Sequence, residues 1–287
     1  MELKKQPLAS YDLHLHTFWS YDGCTSVEYY FQRALELKLR AIAITEHFTM
    51  DSLPDIITAS KKYPAVRFIP SVEMTVTCSV GAVDILCFGM PLEIPTEIEE
   101  IFERYRQWQR DCGEAFSRGM TELGFNYSKN ERLKLLKKYR PANVIEKQGV
   151  THVYGQSAYF INAGYIKSGD DAKLLKEKIR IPEYPQAREI LPAFKRCGAL
   201  IAIAHPTHYF NRNDIERMDE LRDELSFEGI ECAHDLIPME LTHFYRDYCL
   251  KHGLFSSGGS DSHSDPDNPK IHIGTQHEFA RHIGEQE

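Results

Sequence analysis

The sequence predicts an α/β fold, a distorted barrel of the β/α type interrupted by a block of helices. Three observations carry that expectation. Short apolar runs alternate with helical periodicity over the first ninety residues, a proline-flanked break at Pro91-Leu92-Glu93-Ile94-Pro95 opens a helix-only stretch, and strand–helix alternation then resumes toward the C-terminus. With 287 residues and 42% hydrophobic content, the chain can bury a large core.

The elements follow in order. Ser10–Leu15 reads as a strand, and a helix from about Ser26 to Leu37 carries Val27, Phe31, Ala34 and Leu35 at helical spacing after a capping box at Thr25-Ser26-Val27-Glu28. Ala41–Thr45 is the second strand, Leu53–Lys62 a helix and Val66–Val72 the third strand. Gly81 separates Met74–Thr77 from Val83–Phe88 as in a hairpin. A second capping box, Thr96-Glu97-Ile98-Glu99, opens the helical block, with helices expected over Ile98–Leu123, Asn130–Tyr139, Gln156–Ala163 and Asp171–Ile179. With Val83–Phe88 numbered as the fourth strand, those at Leu200–Ala204, Gly229–Cys232 and Leu254–Ser257, each after a helix, bring the count to seven. Residues 1–91 and 189–287 are therefore expected to form the barrel, and 92–188 a helical insertion over its active-site face.

Composition narrows the function. A net charge of −8 argues against a broad nucleic-acid footprint and excludes long duplexes as partners. Neither an apolar leader nor a bilayer-length apolar run is present, so a cytoplasmic location without membrane association is expected. The seven cysteines lack Cys-x-x-Cys spacing and read as reduced, mostly structural thiols.

The chemistry lies at the strand ends. His14 and His16 are two apart, so on a strand both imidazoles reach one side; in a chain with 13 histidines chance nearly supplies such a pair. The other strands change its weight: Asp22, Glu46-His47, Glu73, Asp84, His205-Pro206 and Asp261-Ser262-His263 follow or occupy further strands. In β/α barrels the C-terminal strand ends converge on one face, so these segments would deliver nine ligand-type side chains (His14, His16, Asp22, His47, Glu73, Asp84, His205, Asp261, His263) to one place. One catalytic zinc uses three protein ligands, so two or three divalent ions are implied, with Glu73 able to bridge.

These residues resemble the PHP (polymerase and histidinol phosphatase) family of metal-dependent phosphoesterases. The resemblance rests on Asp12-Leu13-His14-Leu15-His16-Thr17 with Asp22-Gly23, Thr45-Glu46-His47, Val72-Glu73, His205-Pro206 and Ser260-Asp261-Ser262-His263. Gly229-Ile230-Glu231 and the place of the insertion look like the branch with nucleoside bisphosphate phosphatases and oligoribonucleotide exonucleases. The resemblance implies a distorted seven-stranded (β/α)7 TIM-like barrel with a trinuclear site. His14, His16, Glu73 and Asp261 would hold one ion, Glu73, Asp84 and His205 a second, and Asp22, His47 and His263 a third. Asp84 stands where the family usually has His and shifts preference toward harder metals, among Zn, Mn, Fe and Mg. Glu46 replaces the commoner Asp and is expected to orient ligands.

The expected activity is hydrolysis of a phosphomonoester of a small molecule or nucleotide, a metal-bound hydroxide attacking in line, with Glu73 and Asp261 in the catalytic centre. His208 stands where relatives commonly carry Arg and is a candidate proton donor and substrate contact; His152, Arg140 and Lys147 are further substrate candidates. Three alternatives stay open. One is a 5′–3′ exonuclease on short oligonucleotides, its groove lined by Tyr105, Trp108 and Tyr154. The others are an amidohydrolase-type C–N hydrolase, which Asp22 and the Asp261-x-His263 ending disfavour, and a vestigial metal-binding module. The face bearing Arg104, Arg106 and Arg110, and His272, His277 and His282 near the end, read as structural or surface features.

Overall fold

The computed structural model describes residues 10–153, 179–212, 214–234 and 237–263. The expected helix Gln156–Ala163, all of Asp171–Ile179 but its last residue, Tyr154 and the three late histidines lie outside them.

The strands form two sheets. In the first, β1 (Tyr11–Leu15), β2 (Ala41–Ile44) and β3 (Arg67–Phe68) run parallel. In the second, β4 (Ser71–Cys78), β5 (Gly81–Phe88) and β6 (Leu200–Ile203) are antiparallel neighbours, and β7 (Gly229–Ala233) and β8 (Phe255–Gly258) continue in parallel. Single pairs, Leu15 with Ser262 and His47 with Glu73, join the sheets. Side-chain alternation fits a shared interior: Ala43, Leu86, Phe88, Ala202 and Ala204 pack together between strands of both sheets. The intervening Ile42, Ile44, Ile201 and Ile203 pack against helices instead.

Two sequence expectations change here. Val66–Val72 is not one strand: Pro70 has no N–H for the ladder, β3 stops at Phe68, and residues 71–78 pair along their whole length with β5. Glu73 is thus the third residue of β4 rather than the residue after a strand. Both capping boxes also shift. Ser26, not Thr25, caps α1 (Val27–Glu36), its hydroxyl accepting from the Tyr29 N–H at 3.1 Å. Thr96 is itself helical in α3 (Thr96–Glu122), and the Pro95 carbonyl accepts from the Ile98 and Glu99 N–H groups.

α2 (Leu53–Lys62) and α1 cover β1 and β2. The helical block is built onto the sheet. The first half of α3 (Ile98, Ile101, Phe102, Tyr105, Trp108) shares one apolar core with β4, β5 and α6 (Ala187–Arg196). Its second half makes a smaller core with α4 (Lys129–Leu136) and α5 (Ala142–Gln148), a helix the sequence reading missed. α7 (Ile215–Leu225) and α8 (Met239–His252) complete the helices around β6 to β8. All seven cysteines are free, as expected. Arg104, Arg106 and Arg110 pair with carboxylates, Arg106 with Asp51, Glu99 and Glu103, so that face is structural. No helix among the described residues is long and apolar enough to cross a membrane.

Candidate metal centre

The site forms where the end of β1 meets the chain leaving β8. The Asp261 N–H donates to the His14 carbonyl and the His16 N–H to the Ser262 carbonyl, at 2.8 and 2.9 Å. Asp12 reinforces the seam, accepting the Ser260 N–H at 3.0 Å. A Cβ on Gly259 would lie 2.3 Å from that of His14, so only glycine admits this approach. The β1–β2 register shifts between Asp12 and Leu15, a bulge that re-aims the side chains at the strand's end. Two ligand-bearing segments also carry backbone in the left-handed region: His205 (φ 27°) and Asp261 (φ 54°).

Glu73 is the hub. Its Oε2 lies 3.0 Å from His14 Nε2, 3.1 Å from His16 Nε2 and 3.3 Å from His47 Nδ1, and its Oε1 lies 3.4 Å from His205 Nε2. Asp261 Oδ1 stands 3.2 and 3.1 Å from the same nitrogens of His14 and His16. Asp22 Oδ2 reaches His47 Nε2 at 3.2 Å and His263 Nε2 at 3.4 Å. Asp84 Oδ2 is 3.8 Å from His205 Nε2; the Tyr209 hydroxyl donates to that oxygen and accepts the Asp84 N–H, both at 2.9 Å. All nine predicted ligands are therefore brought together. They fall into groups whose donor atoms lie within 4.8 Å of one another: His14, His16, Glu73 and Asp261; Glu73, Asp84 and His205; and His16, His47 and His263, the last flanked by Asp22.

The donor set fits cations. His14 Nδ1 faces Glu231 Oε1 at 2.9 Å and its Nε2 faces Glu73 Oε2 at 3.0 Å, so each ring nitrogen meets a carboxylate. Burial pulls this ring down, but Glu73, Glu231 and Asp261 outweigh it and lift His14 well above the imidazole range; a cation at Nε2 would supply the positive charge that a proton supplies in the metal-free fold. Buried His16 Nε2, His47 Nδ1, Asp22 Oδ1 and Glu73 Oε1 have no partner in hydrogen-bond geometry. Electrostatics agree. Burial pulls the histidines down, but the carboxylates outweigh it: Asp22 and Glu73 lift His47 to about 9, Glu73 and Asp84 lift His205 to about 9, and Asp22 and Asp261 lift His263 to about 10. Burial raises the Glu73 and Asp261 carboxyls, yet His14 with His47 or His263 takes each well below the ordinary range.

Supporting residues hold this set in place. Glu46, as expected, orients: it accepts from the Thr17 N–H at 3.1 Å, from the Thr17 hydroxyl, and from the Ser20 hydroxyl at 2.6 Å. Ser20 in turn meets His16 Nδ1 at 3.0 Å and accepts the His47 N–H at 2.9 Å. The sequence reading missed Glu231 and His234, both buried, with His234 Nε2 3.9 Å from Asp261 Oδ2. A carboxylate within the apolar strand β7 and a histidine just past its end are the same signals that marked the other strands.

The substrate candidates part ways. His208 is exposed at the edge of the cluster, its ring 4.5 Å from that of His205, and burial with the neighbouring His205 holds it below the usual imidazole range. His152 lies one layer back, 4.3 Å from the Tyr21 ring that itself packs on His47, and burial pushes it down to about 4, which leaves it neutral. Arg140 is buried, and its guanidinium donates to the Phe18 and Trp19 carbonyls, each at 3.2 Å, and to Gln148 and Thr151. That corrects its reading as a phosphate contact: its donors hold the loop between β1 and Asp22. Lys147 is half-exposed, with Asp51 as its 3.8 Å partner.

Known proteins resemble this chain in sequence and fold. A 3′,5′-nucleoside bisphosphate phosphatase from Chromobacterium violaceum is 23% identical over 273 residues, covering 90% of this chain and 88% of its own. Among solved structures, an amidohydrolase from the same organism, with bound sulfate and no metal, superposes with a TM-score of 0.70 at 18% identity, over 94% of this chain and 92% of that one. A Bifidobacterium adolescentis protein named as a metal-dependent phosphoesterase gives 0.64 at 20% identity, over 93% and 91%. The sequence profile of the PHP domain matches residues 12–198, from Asp12 ahead of the paired histidines to the turn before β6. The chain belongs to the PHP domain family.

Proposed function

We propose that this protein is a metal-dependent phosphoesterase that hydrolyses phosphomonoesters of a small molecule or nucleotide at a multinuclear site. The observation that carries the reading is the convergence of nine ligand-type side chains, eight of them in three groups that share Glu73 or His16 and the ninth, Asp22, beside His47 and His263. Divalent cations held there would neutralise phosphoryl oxygens and lower the pKa of water. Glu73, in reach of four imidazoles, would be the carboxylate shared between ligand groups, and Asp261 would join His14 and His16 in one ligand set. In this reading His208, exposed beside His205, is the candidate proton donor to the leaving oxygen. Closure of the two sheets into a distorted barrel belongs to this reading and is supported by the bridging pairs at Leu15 and His47. So does a capping role for residues 92–188, supported by Arg140 and Gln148 gripping the Trp19 carbonyl. The Chromobacterium relative's name favours a nucleotide substrate. Tyr105 and Trp108 are buried against the sheet, which disfavours an exonuclease groove lined by them.

Protein purified without chelators is expected to carry more than one equivalent of transition metal by elemental analysis. It should release inorganic phosphate from a nucleoside 3′,5′-bisphosphate. Mononucleotides released from a short RNA, with no phosphate from the bisphosphate, would replace the reading by the exonuclease; amide hydrolysis alone would replace it by C–N chemistry. Metal-free protein that binds no added Mn2+ would leave only a vestigial module.

A further inference from the structure

Glu231 is the fully buried third residue of β7, a strand buried along its whole length, where a carboxylate without partners would be costly. Both of its oxygens are engaged. Oε1 accepts from His14 Nδ1 at 2.9 Å, and Oε2 accepts the His205 main-chain N–H at 2.7 Å. The two partners belong to different ligand groups: His14 to the one with His16 and Asp261, His205 to the one with Asp84. On the opposite side Glu73 touches both rings, so His14 and His205 are held between two carboxylates.

We propose that Glu231 is the positioning residue of the metal centre: it fixes the His14 proton on Nδ1, so that Nε2 is free to ligate, and it pins the His205 backbone. The inference rests on the metal-dependent reading above. The second contact has its own geometric reason. His205 adopts φ 27°, ψ 63°, a conformation that costs free energy outside glycine and needs an anchor to persist. The Glu231 hydrogen bond to its N–H is that anchor, and it sets where the imidazole emerges beside Glu73 and Asp84. An isosteric amide cannot reproduce both contacts. In Glu231→Gln one end of the side chain is an NH2 group, which must face either the His205 N–H, leaving two donors opposed, or His14 Nδ1, moving the ring proton to Nε2.

The test is Mn2+ binding by calorimetry and metal stoichiometry in full-length wild-type protein, Glu231→Gln, Glu231→Asp and His14→Ala. Long-range 1H–15N spectra of Zn2+-loaded samples report the histidine tautomers. Glu231→Gln is expected to weaken Mn2+ binding 10- to 100-fold, the range for groups that orient metal ligands, and to lower kcat on p-nitrophenyl phosphate more than it raises KM. Glu231→Asp keeps the charge but is too short to span both partners, so it should fall between wild type and Glu231→Gln; it also serves if the amide variant fails to fold. Either variant folded with wild-type Mn2+ affinity, stoichiometry and His14 tautomer overturns the proposal. If His14→Ala also binds Mn2+ like wild type, the metal reading itself fails; if His14→Ala alone loses metal, only the role of Glu231 does.

Discussion

The strand-end cluster and the helical block of residues 92–188 bury charge in opposite ways. In the block, the Arg140 guanidinium meets acceptors on every side, two main-chain carbonyls and two side-chain oxygens. In the cluster, ring nitrogens and carboxylate oxygens about 3 Å apart converge on shared atoms, and several lack any partner in hydrogen-bond geometry. A buried charge with its partners supplied is architecture, whereas carboxylates and imidazoles that converge on one another hold positive charge, which a metal ion can supply in place of protons. The same contrast separates two sets of residues that the sequence treats alike: basic side chains near the insertion and histidines at strand ends both suggest phosphate chemistry, yet only the second set converges.

The sharpest way to break the comparison is to remove a member of the cluster. His14→Ala or Asp261→Ala should lower kcat/KM on a phosphomonoester roughly a thousandfold or more, since metal assistance is worth several kcal/mol, with circular dichroism unchanged. Unchanged turnover would sink the site. Arg140→Met tests the other side. It leaves the Phe18 carbonyl without the Arg140 donor and the Trp19 carbonyl with Gln148 alone, so stability should fall by about 1–3 kcal/mol in denaturant titrations, with activity lost through the loosened Asp22 loop and not through substrate affinity. A rise in KM at constant stability and kcat would instead return Arg140 to the substrate.

Next in size is a pH effect that the cluster shows and the block does not. His47 and His205 titrate near 9 in the metal-free fold, above the ordinary imidazole value. A raised folded pKa contributes stability that is fully present below about 6.5 and lost as pH rises through about 9. Glu73 and Asp261 have the opposite sign: their contribution is present above about 4 and lost on acidification. Chelator-treated protein should therefore have a melting temperature that falls between pH 6.5 and 9, while Mn2+-loaded protein, with metal in place of those protons, should hold or gain. Parallel curves would count against a cation-replaceable cluster. Smallest is Lys147→Ala, expected within about 0.5 kcal/mol in stability and twofold in activity, because its side chain is half-exposed and its Asp51 partner is 3.8 Å away. A several-fold rise in KM would mark it as a substrate contact.

The sequence by itself determined the identities of the candidate ligands and most of the elements that carry them. Two-residue spacing at His14/His16, polar residues breaking apolar runs, and strand–helix alternation are local patterns, and local patterns survive folding because backbone periodicity dictates them. Tertiary structure alone decided what those side chains meet. Pro70 ended β3 early and moved Glu73 inside β4, where cross-strand pairing with β5 sets its place among four imidazoles. Glu231 was visible as an acidic residue in an apolar strand and as the end of the Gly229-Ile230-Glu231 run; its contacts follow from the parallel packing that carries β7 behind His14 and His205. Arg140 had the composition of a phosphate contact and became an anchor, because α5 and the loop after β1 meet across more than a hundred residues of sequence. Periodicity says which side of an element a residue occupies, whereas partner identity depends on long-range approach, which no local pattern encodes.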